Sequence, residues 1–338
     1  MEQRNRRVTG IFIWIVIFLI LSLPLFSQNI RLGSIAPQGS PWVKALQQVA
    51  DEWKQLSQGK VSLKIYSGGI AGDESVLIRK MKLRQLDAAA ITIYGMNQIA
   101  KGALALSTPM LIQNVEQLEY VLEQVGPVFE KQMEEQRFVV LTWAFAGWMH
   151  FFSQAPVLQP DDLRDKKIWV LKENQTEAYT WKLAGFNPVP LSAQDVMISL
   201  QSGKINTFAT STTSAAASQW FGVANHMLEL NWAPMVAGIV ISQSAWDKVP
   251  ANLKAELKAS ADKAGKLITR ESLKLDSEAI NTMVKFGLTL HPVNQQNKES
   301  WSAFVDAYFS RIIDADIGRD SYDLVKNAIA NYNNSHGG

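Results

Sequence analysis

Residues 60–94 read KVSLKIYSGGIAGDESVLIRKMKLRQLDAAAITIY, and this stretch decides the fold class. Apolar and polar residues alternate over Lys60–Tyr66, which predicts a half-buried strand. After Gly72, Leu77 and Met81 lie at a spacing typical of a helix that buries one face. Ala88–Tyr94 is apolar throughout, as in a parallel strand covered on both faces. A strand, a helix and a strand in succession indicate an α/β fold.

The same alternation extends over the rest of the chain. Ser40 and Pro41 are typical of a helix start, with the serine as N-cap and the proline in the first turn. A further helix is predicted from about Gln175 to Ala184. Other strands are predicted at Asn29–Ala36, Phe138–Phe145, Phe151–Phe152, Lys167–Leu171, Asn206–Thr210 and Ala237–Ser242.

One predicted helix is much longer than the others. Asn252–Phe286 contains no proline and a single glycine, Gly265. A helix of about 35 residues is roughly 50 Å long, enough to bridge two lobes. The 338 residues also suggest two domains. Because no glycine-serine linker occurs, we expect the chain to cross between the lobes more than once.

The first 27 residues have the pattern of an export signal. Three arginines precede an unbroken apolar run, Ile11–Leu21, and Ser27 offers a small residue for cleavage. Leu25 is a poor residue three positions before that cut, so an uncleaved membrane anchor is the alternative. Both interpretations place the rest of the chain outside the cytoplasm.

Composition excludes several classes of function. Beyond residue 27 the chain has 30 basic and 30 acidic residues, a balance that argues against nucleic-acid binding. Without cysteine there is no disulfide, thiol nucleophile or zinc–thiolate site. Four histidines show no metal-binding spacing, and no GxSxG, GxGxxG or Walker motif occurs. We therefore predict a binding protein, not an enzyme, without cofactor or metal.

Several short motifs occur in order along the chain. They are GDE at 72–74 running on to LDAAA at 86–90, PVLQPDDLRDKKIWV at 156–170, GFNPVP at 185–190, SLQSG at 199–203 and WDKVP at 246–250. These motifs resemble those of the solute-binding subunits of TRAP transporters (tripartite, ATP-independent, periplasmic), and the matches keep family order from about Ile30 to Tyr332. The resemblance implies two α/β lobes around a hinged cleft, with a long helix spanning both.

The resemblance also implies domain boundaries and partners. Lobe I is expected to comprise residues 28–147 plus about 235–275, and lobe II residues 148–234 plus about 276–335. The partners it implies are a small-molecule ligand and the membrane permease subunits of a TRAP transporter. A helical-repeat protein is a further partner found with some relatives.

Three positions depart from the family pattern. Where relatives have the arginine of K-x-R-V, which pairs with a ligand carboxylate, this chain has Trp169. Met149 stands at the arginine of N-G-x-R, and Thr210 at the asparagine of D-G-x-x-N. A buried carboxylate without its partner loses about 3–5 kcal/mol. Trp and Met instead offer large apolar surface, so the cleft is predicted to bind an apolar or amphipathic ligand.

The predicted cleft residues follow from these departures and their neighbours. An alternative is that Trp169 and Met149 have become core, with recognition lost or moved. Lys172 is a weak candidate for a replacement cation, because three residues along a strand reverse the face. The predicted ligand-binding set is Trp169, Met149, Thr210, Phe208, Trp148, Trp232, Tyr94 and Glu74.

Two functions fit these features. The first is capture of a solute and its delivery to the permease, with ligand favouring the closed state of the hinge. The second is a sensor or partner-binding protein on the same fold that delivers nothing.

Overall fold

The structure is a computed structural model and describes residues 27–172 and 174–336. The predicted signal peptide, or anchor, of residues 1–27 lies almost entirely outside the described residues. Within the described part, no helix has the length and apolar character needed to cross a bilayer.

Ten strands form one hydrogen-bonded sheet within the described part of the chain. Parallel and antiparallel neighbours are mixed. The strands are β1 (Gln28–Ser34), β2 (Val61–Tyr66), β3 (Ala88–Thr92), β4 (Phe138–Ser153), β5 (Lys167–Leu171), β6 (Asn187–Leu191), β7 (Thr207–Ser211), β8 (His226–Leu228), β9 (Ala233–Ser242) and β10 (Thr289–His291).

Helices follow most strands, as the alternation predicts. Short 3-10 turns and a π turn at Ile313–Ile317 connect some of them. The α-helices are α1 (Pro41–Leu56), α2 (Glu74–Lys82), α3 (Ile93–Ile99), α4 (Val115–Glu135), α5 (Gln175–Leu183), α6 (Val196–Gln201), α7 (Thr212–Ala217), α8 (Gln243–Trp246), α9 (Ala251–Lys285), α10 (Gln295–Tyr308), α11 (Ser310–Ile312) and α12 (Arg319–His336).

The strand order divides the sheet into two halves. It runs β2-β1-β3-β9-β4-β7-β5-β6. β1 pairs in parallel with β2 and β3, and β5 pairs in parallel with β6 and β7. β9 and β4 lie antiparallel between the two parallel groups. This arrangement is the two-lobed α/β fold that the sequence predicts.

β4 is one strand of 16 residues, where the sequence predicted two. Its pairing with β9 shifts register between Phe145 and Trp148, and Gly147 there has φ +109°. A left-handed φ suits glycine, so the chain bends without leaving the sheet. β4 thus runs from one half of the sheet into the other through a bulge.

The long helix α9 confirms the prediction for Asn252–Phe286 to within one residue at each end. It packs along β4, and its Gly265 permits the close approach. A Cβ atom at that position would lie 2.5 Å from the main-chain oxygen of Trp143. Near the helix start, Trp53 Nε1 donates to the carbonyl oxygen of Leu257 at 2.9 Å.

The C-terminal helix packs on a helix of the segment expected to form lobe I. Lobe II was expected to include residues up to about 335, but α12 packs on α4, which belongs to residues 28–147. Val325 and Ile329 of α12 share a buried cluster with Leu118 and Val121 of α4. The apolar stripe of α12 packs against a helix that is distant in sequence, and sequence order alone does not predict this contact.

Candidate ligand-binding cleft

A cavity of about 1210 Å³ lies at the carboxyl ends of the parallel strands. One side is formed by chain that follows β1, β2 and β3. The opposite side is formed by chain around the ends of β5, β6 and β7, and Ser272 and Leu275 of α9 also line it. Ligands of open α/β sheets bind at this edge, where successive strands lead to opposite sides.

Six of the eight predicted residues line this cavity. The structure therefore brings together residues from β3–α3, β4, β5, β7 and the segment before β9. Their role in binding remains a prediction. The six are Trp169, Met149, Thr210, Trp232, Tyr94 and Glu74.

Trp169 is a half-buried wall residue on β5. Its indole Nε1 donates to the carbonyl oxygen of Leu191 at 3.1 Å, which fixes the ring plane against β6. The ring makes an edge-on contact with Trp220, with centroids 5.5 Å apart. Trp220 also lines the cavity, so two indoles form one apolar wall.

Phe208 and Trp148 correct the prediction, because neither lines the cavity. Phe208 has no exposed surface and stacks on Phe152, with centroids 5.2 Å apart. Trp148 is buried against Phe145, just after the β4 bulge. Both side chains pack in the core instead, and the position of a residue within a family motif does not by itself show whether its side chain reaches the cavity.

Met149 and Trp232 close the base of the cavity. Both are buried with an edge on the cavity, and Trp232 N donates to the oxygen of Met149 at 2.9 Å. The Trp232 ring also packs against Phe151 and Trp301. Trp301 is fully buried, whereas Trp42 is half-buried and lines the cavity.

Glu74 binds Thr92, the residue that immediately precedes α3. Its carboxylate accepts from the backbone N–H and the hydroxyl of Thr92, at 2.5 and 2.9 Å. The end of β3 and the start of α2 are therefore tied together behind Tyr94. Burial and the negative charges of Glu177 and Glu74 together raise the pKa of the Tyr94 hydroxyl well above its ordinary value.

Glu177 and Asp316 are cavity residues that the sequence did not single out. Glu177 lies in the first turn of α5, where an acidic residue is ordinary. Asp316 lies in the π turn and accepts from the Thr176 hydroxyl at 2.8 Å. Nothing in the local pattern marks either one; they meet only because the chain returns after α11.

The cavity has no arginine among the described residues that line it. Its lining cations are Lys101 and Lys172, both exposed. Lys101 Nζ donates to the carbonyl oxygen of Ala315 at 3.4 Å, and Lys172 Nζ pairs with Asp73 at 3.4 Å across the mouth. The candidate cation Lys172 is therefore turned toward the opposite rim.

Asp276 of α9 is buried beneath the cavity, at the β4 bulge. It accepts from the Thr212 hydroxyl at 2.5 Å and from Trp148 N at 3.4 Å. Burial raises the pKa of its carboxyl to about 6, although these two donors act in the opposite direction. One carboxylate thus joins the long helix, the bulge and the start of α7.

Residues 32–316 match a known family, that of the bacterial extracellular solute-binding proteins, family 7 (DctP). The chain belongs to this family. Among curated relatives, a solute-binding protein of Chromohalobacter salexigens is 24% identical over 238 residues, 70% of each chain. The sialic acid-binding periplasmic protein SiaP of Vibrio cholerae is 20% identical over 78% of this chain and 82% of its own.

Solved structures show the same fold. A TRAP periplasmic solute-binding protein from Xanthobacter autotrophicus with bound β-D-galacturonate superposes with a TM-score of 0.82 at 20% identity. That alignment covers 89% of this chain and 99% of the other. A TRAP protein from Shewanella oneidensis with bound succinate also gives 0.82, at 17% identity, over 90% and 99%. The solute-binding protein described here therefore has the two-lobed fold with its ligand cleft between the lobes.

Proposed function

We propose that this chain is the exported solute-binding subunit of a TRAP-type transporter, acts without catalysis, and binds a ligand that presents no carboxylate to the cleft. The proposal departs from the acids bound in the similar structures. The single observation that carries it is the lining of the cavity, which has no arginine among its described residues.

The wall chemistry supports an apolar or amphipathic ligand. Trp169 and Trp220 present indole surface, and Met149 adds a polarizable thioether. Burying about 200 Å² of apolar ligand surface would contribute roughly 5 kcal/mol before the cost of association. A carboxylate placed there would have to give up its water without a guanidinium in exchange.

We also propose how the lobes are divided. One lobe comprises residues 28–147, about 235–275 and helix α12. The other comprises residues 148–234 and about 276–312. The strand order supports this division, since β2-β1-β3 and β7-β5-β6 lie on opposite sides of β9 and β4. The ligand would favour closure of the two lobes, and the closed form would dock on the permease. A helical-repeat partner stays a prediction from the family resemblance.

The test compares ligand classes and two tryptophan variants. Succinate, glucuronate and galacturonate should not bind the purified protein at micromolar concentration by calorimetry, whereas an apolar or amphipathic ligand should be retained through native mass spectrometry. Trp169→Ala should weaken binding of that ligand by roughly 30- to 1000-fold, the range of a central aromatic contact.

Trp143→Ala is the matched control, because Trp143 is also half-buried but does not line the cavity. It should lower stability without changing affinity. Micromolar binding of a simple carboxylate would falsify the proposed ligand class. If Trp169→Ala melts early while its folded fraction binds normally, Trp169 is core. Uptake of the identified ligand by cells lacking the gene tests delivery.

A further inference from the structure

Glu177 lines the cavity, and its carboxylate lacks a cationic partner among the described residues. Asn174 Nδ2 donates to Glu177 Oε2 at 2.6 Å, and Trp181 Nε1 donates to Oε1 at 3.4 Å. Both donors are neutral. No ion pair between described residues includes Glu177, although its side chain lines the cavity. The charge is therefore held in place but not compensated.

The neighbouring groups add negative charge instead of removing it. Burial raises the pKa of Glu177 to about 7, and the charge of Asp316 contributes to the rise. Tyr94 is close enough to Glu177 and Glu74 for both charges to raise the pKa of its hydroxyl. The lining cation Lys101 contacts the Ala315 carbonyl. The acidic groups whose charges act on Glu177 and Tyr94 thus add negative charge beside the Glu177 carboxylate.

Aromatic surface lies beside this charge. The Trp181 indole that donates to Glu177 packs on Trp232, with ring centroids 6.3 Å apart, and Trp232 and Tyr94 line the cavity. Aromatic faces attract ammonium groups, most strongly where water is excluded. A carboxylate next to aromatic rings is a favourable site for a positively charged nitrogen.

We propose that the ligand carries a protonated or quaternary amine, which binds between Glu177 and the Tyr94–Trp232 surface while its apolar part lies against Trp169. This inference rests on the proposed function, since it places the ligand in the same cleft. Such a ligand places a positive charge beside the Glu177 carboxylate, and this attraction offsets part of the free energy that burying the two charges costs. The fold fixes where a ligand binds, and Glu177 selects its charge.

The test uses a matched set of probes with one phenethyl group. Phenethylamine is the cation, phenethyl alcohol the neutral isostere and 3-phenylpropanoate the anion, and a C2–C10 series of alkyltrimethylammonium ions extends the cations. Calorimetry at pH 6, 7 and 8 measures each affinity. We expect the best cation to bind at least tenfold more tightly than the alcohol. Its affinity should rise between pH 6 and 8, as Glu177 loses its proton.

Glu177→Gln should remove both the preference and the pH dependence while leaving the affinity for the alcohol within threefold. Exposed Glu256→Gln is the matched control and should change neither. Equal binding of amine and alcohol, an unaffected Glu177→Gln variant, or no cation bound at 1 mM overturns this inference alone. Tight binding of the anion, strongest at pH 6, would mean that protonated Glu177 donates to a carboxylate. That result overturns both this inference and the proposed ligand class.

Discussion

At the scale of single residues, the cleft differs from the family pattern because neutral side chains stand where relatives have polar or charged ones. Trp169, Met149 and Thr210, the three residues that depart from the family motifs, all line the cavity, and their role in binding stays a prediction. Charged residues also line the cavity, and two of its acids, Glu177 and Asp316, were not singled out by the sequence. The sequence identified the three neutral residues because they lie at known positions within family motifs. The two acids follow none, and their proximity depends on tertiary contacts between α5 and the π turn.

The raised pKa of Asp276 predicts how the stability of the fold depends on pH. Its folded pKa of about 6 lies above the ordinary 3.8, so the folded state binds the extra proton between these values. Stability contributed by this group is therefore present below about pH 4 and is lost as pH rises to about 6. The loss is at most about 3 kcal/mol.

Asp276→Asn should accordingly raise the melting temperature by a few degrees above pH 6 and leave it unchanged near pH 4. Its amide oxygen can still accept from Thr212 and Trp148. Thermal unfolding of both proteins from pH 4 to 8 measures the difference. Asp306→Asn on exposed α10 surface is the control. A lower melting temperature for Asp276→Asn at pH 8 would show that the ionised carboxylate stabilises the bulge.

At the scale of elements, helices were easier to predict than the sheet. α9 was predicted almost to the residue, because composition and the absence of proline are local properties. β4 was predicted as two strands, with a break between Phe145 and Phe151, since a bulge and a loop have the same local pattern. The insertion of antiparallel β9 between β3 and β4 depends on pairing distant in sequence, which periodicity does not specify.

Gly265 tests how α9 is fitted to β4. Alanine favours a helix over glycine by about 1 kcal/mol. At Gly265 its Cβ would lie 2.5 Å from a main-chain oxygen, which cannot rotate away. Overpacking of this kind costs about 1–3 kcal/mol. The two effects together give a net loss of up to about 2 kcal/mol. Because the close contact is with main chain, we expect Gly265→Ala to lower the free energy of unfolding by about 2 kcal/mol in denaturant titrations.

The control is Gly222→Ala, where an added Cβ meets no atom within 4 Å. It should be neutral or slightly stabilising. If Gly265→Ala is as stable as the parent, then α9 can move away from β4 without cost, and the helix does not fix the geometry of the two halves of the sheet.

At the scale of the whole molecule, weak contacts cross the mouth of the cleft. The Lys172–Asp73 pair joins the two rims, but both side chains are substantially exposed, 50% and 36%. Exposed pairs of this kind contribute about 0–1 kcal/mol. Asp73 also caps α2 by accepting from Val76 N at 2.9 Å. The ion pair by itself is too weak to hold the two rims together, so under the proposed function we expect the ligand to supply the free energy that favours closure.

Asp73→Asn separates the two roles of this residue, because asparagine caps a helix as well as aspartate does. We expect it to weaken affinity for an identified ligand by less than fivefold. Raising the salt concentration should have a similarly small effect on the parent protein. A loss of more than 30-fold in calorimetry, with an unchanged melting temperature, would mean that the rim pair is a main determinant of closure.

The hinge itself is tested by scattering. β4, β9 and α9 connect the two halves of the sheet, and β4 has a bulge at Gly147. Because rigid elements shared by two lobes restrict their relative motion, we expect that motion to be a rotation about this bulge. A folded chain of this length has a radius of gyration of about 20 Å. Small-angle scattering should show this radius decrease when a ligand that native mass spectrometry has retained is added. The decrease should be absent in Trp169→Ala at the same ligand concentration and present in Trp143→Ala. An unchanged radius for the parent protein with its ligand demonstrably bound would mean that capture proceeds in a preformed closed cleft, with no hinge rotation to signal occupancy to the permease.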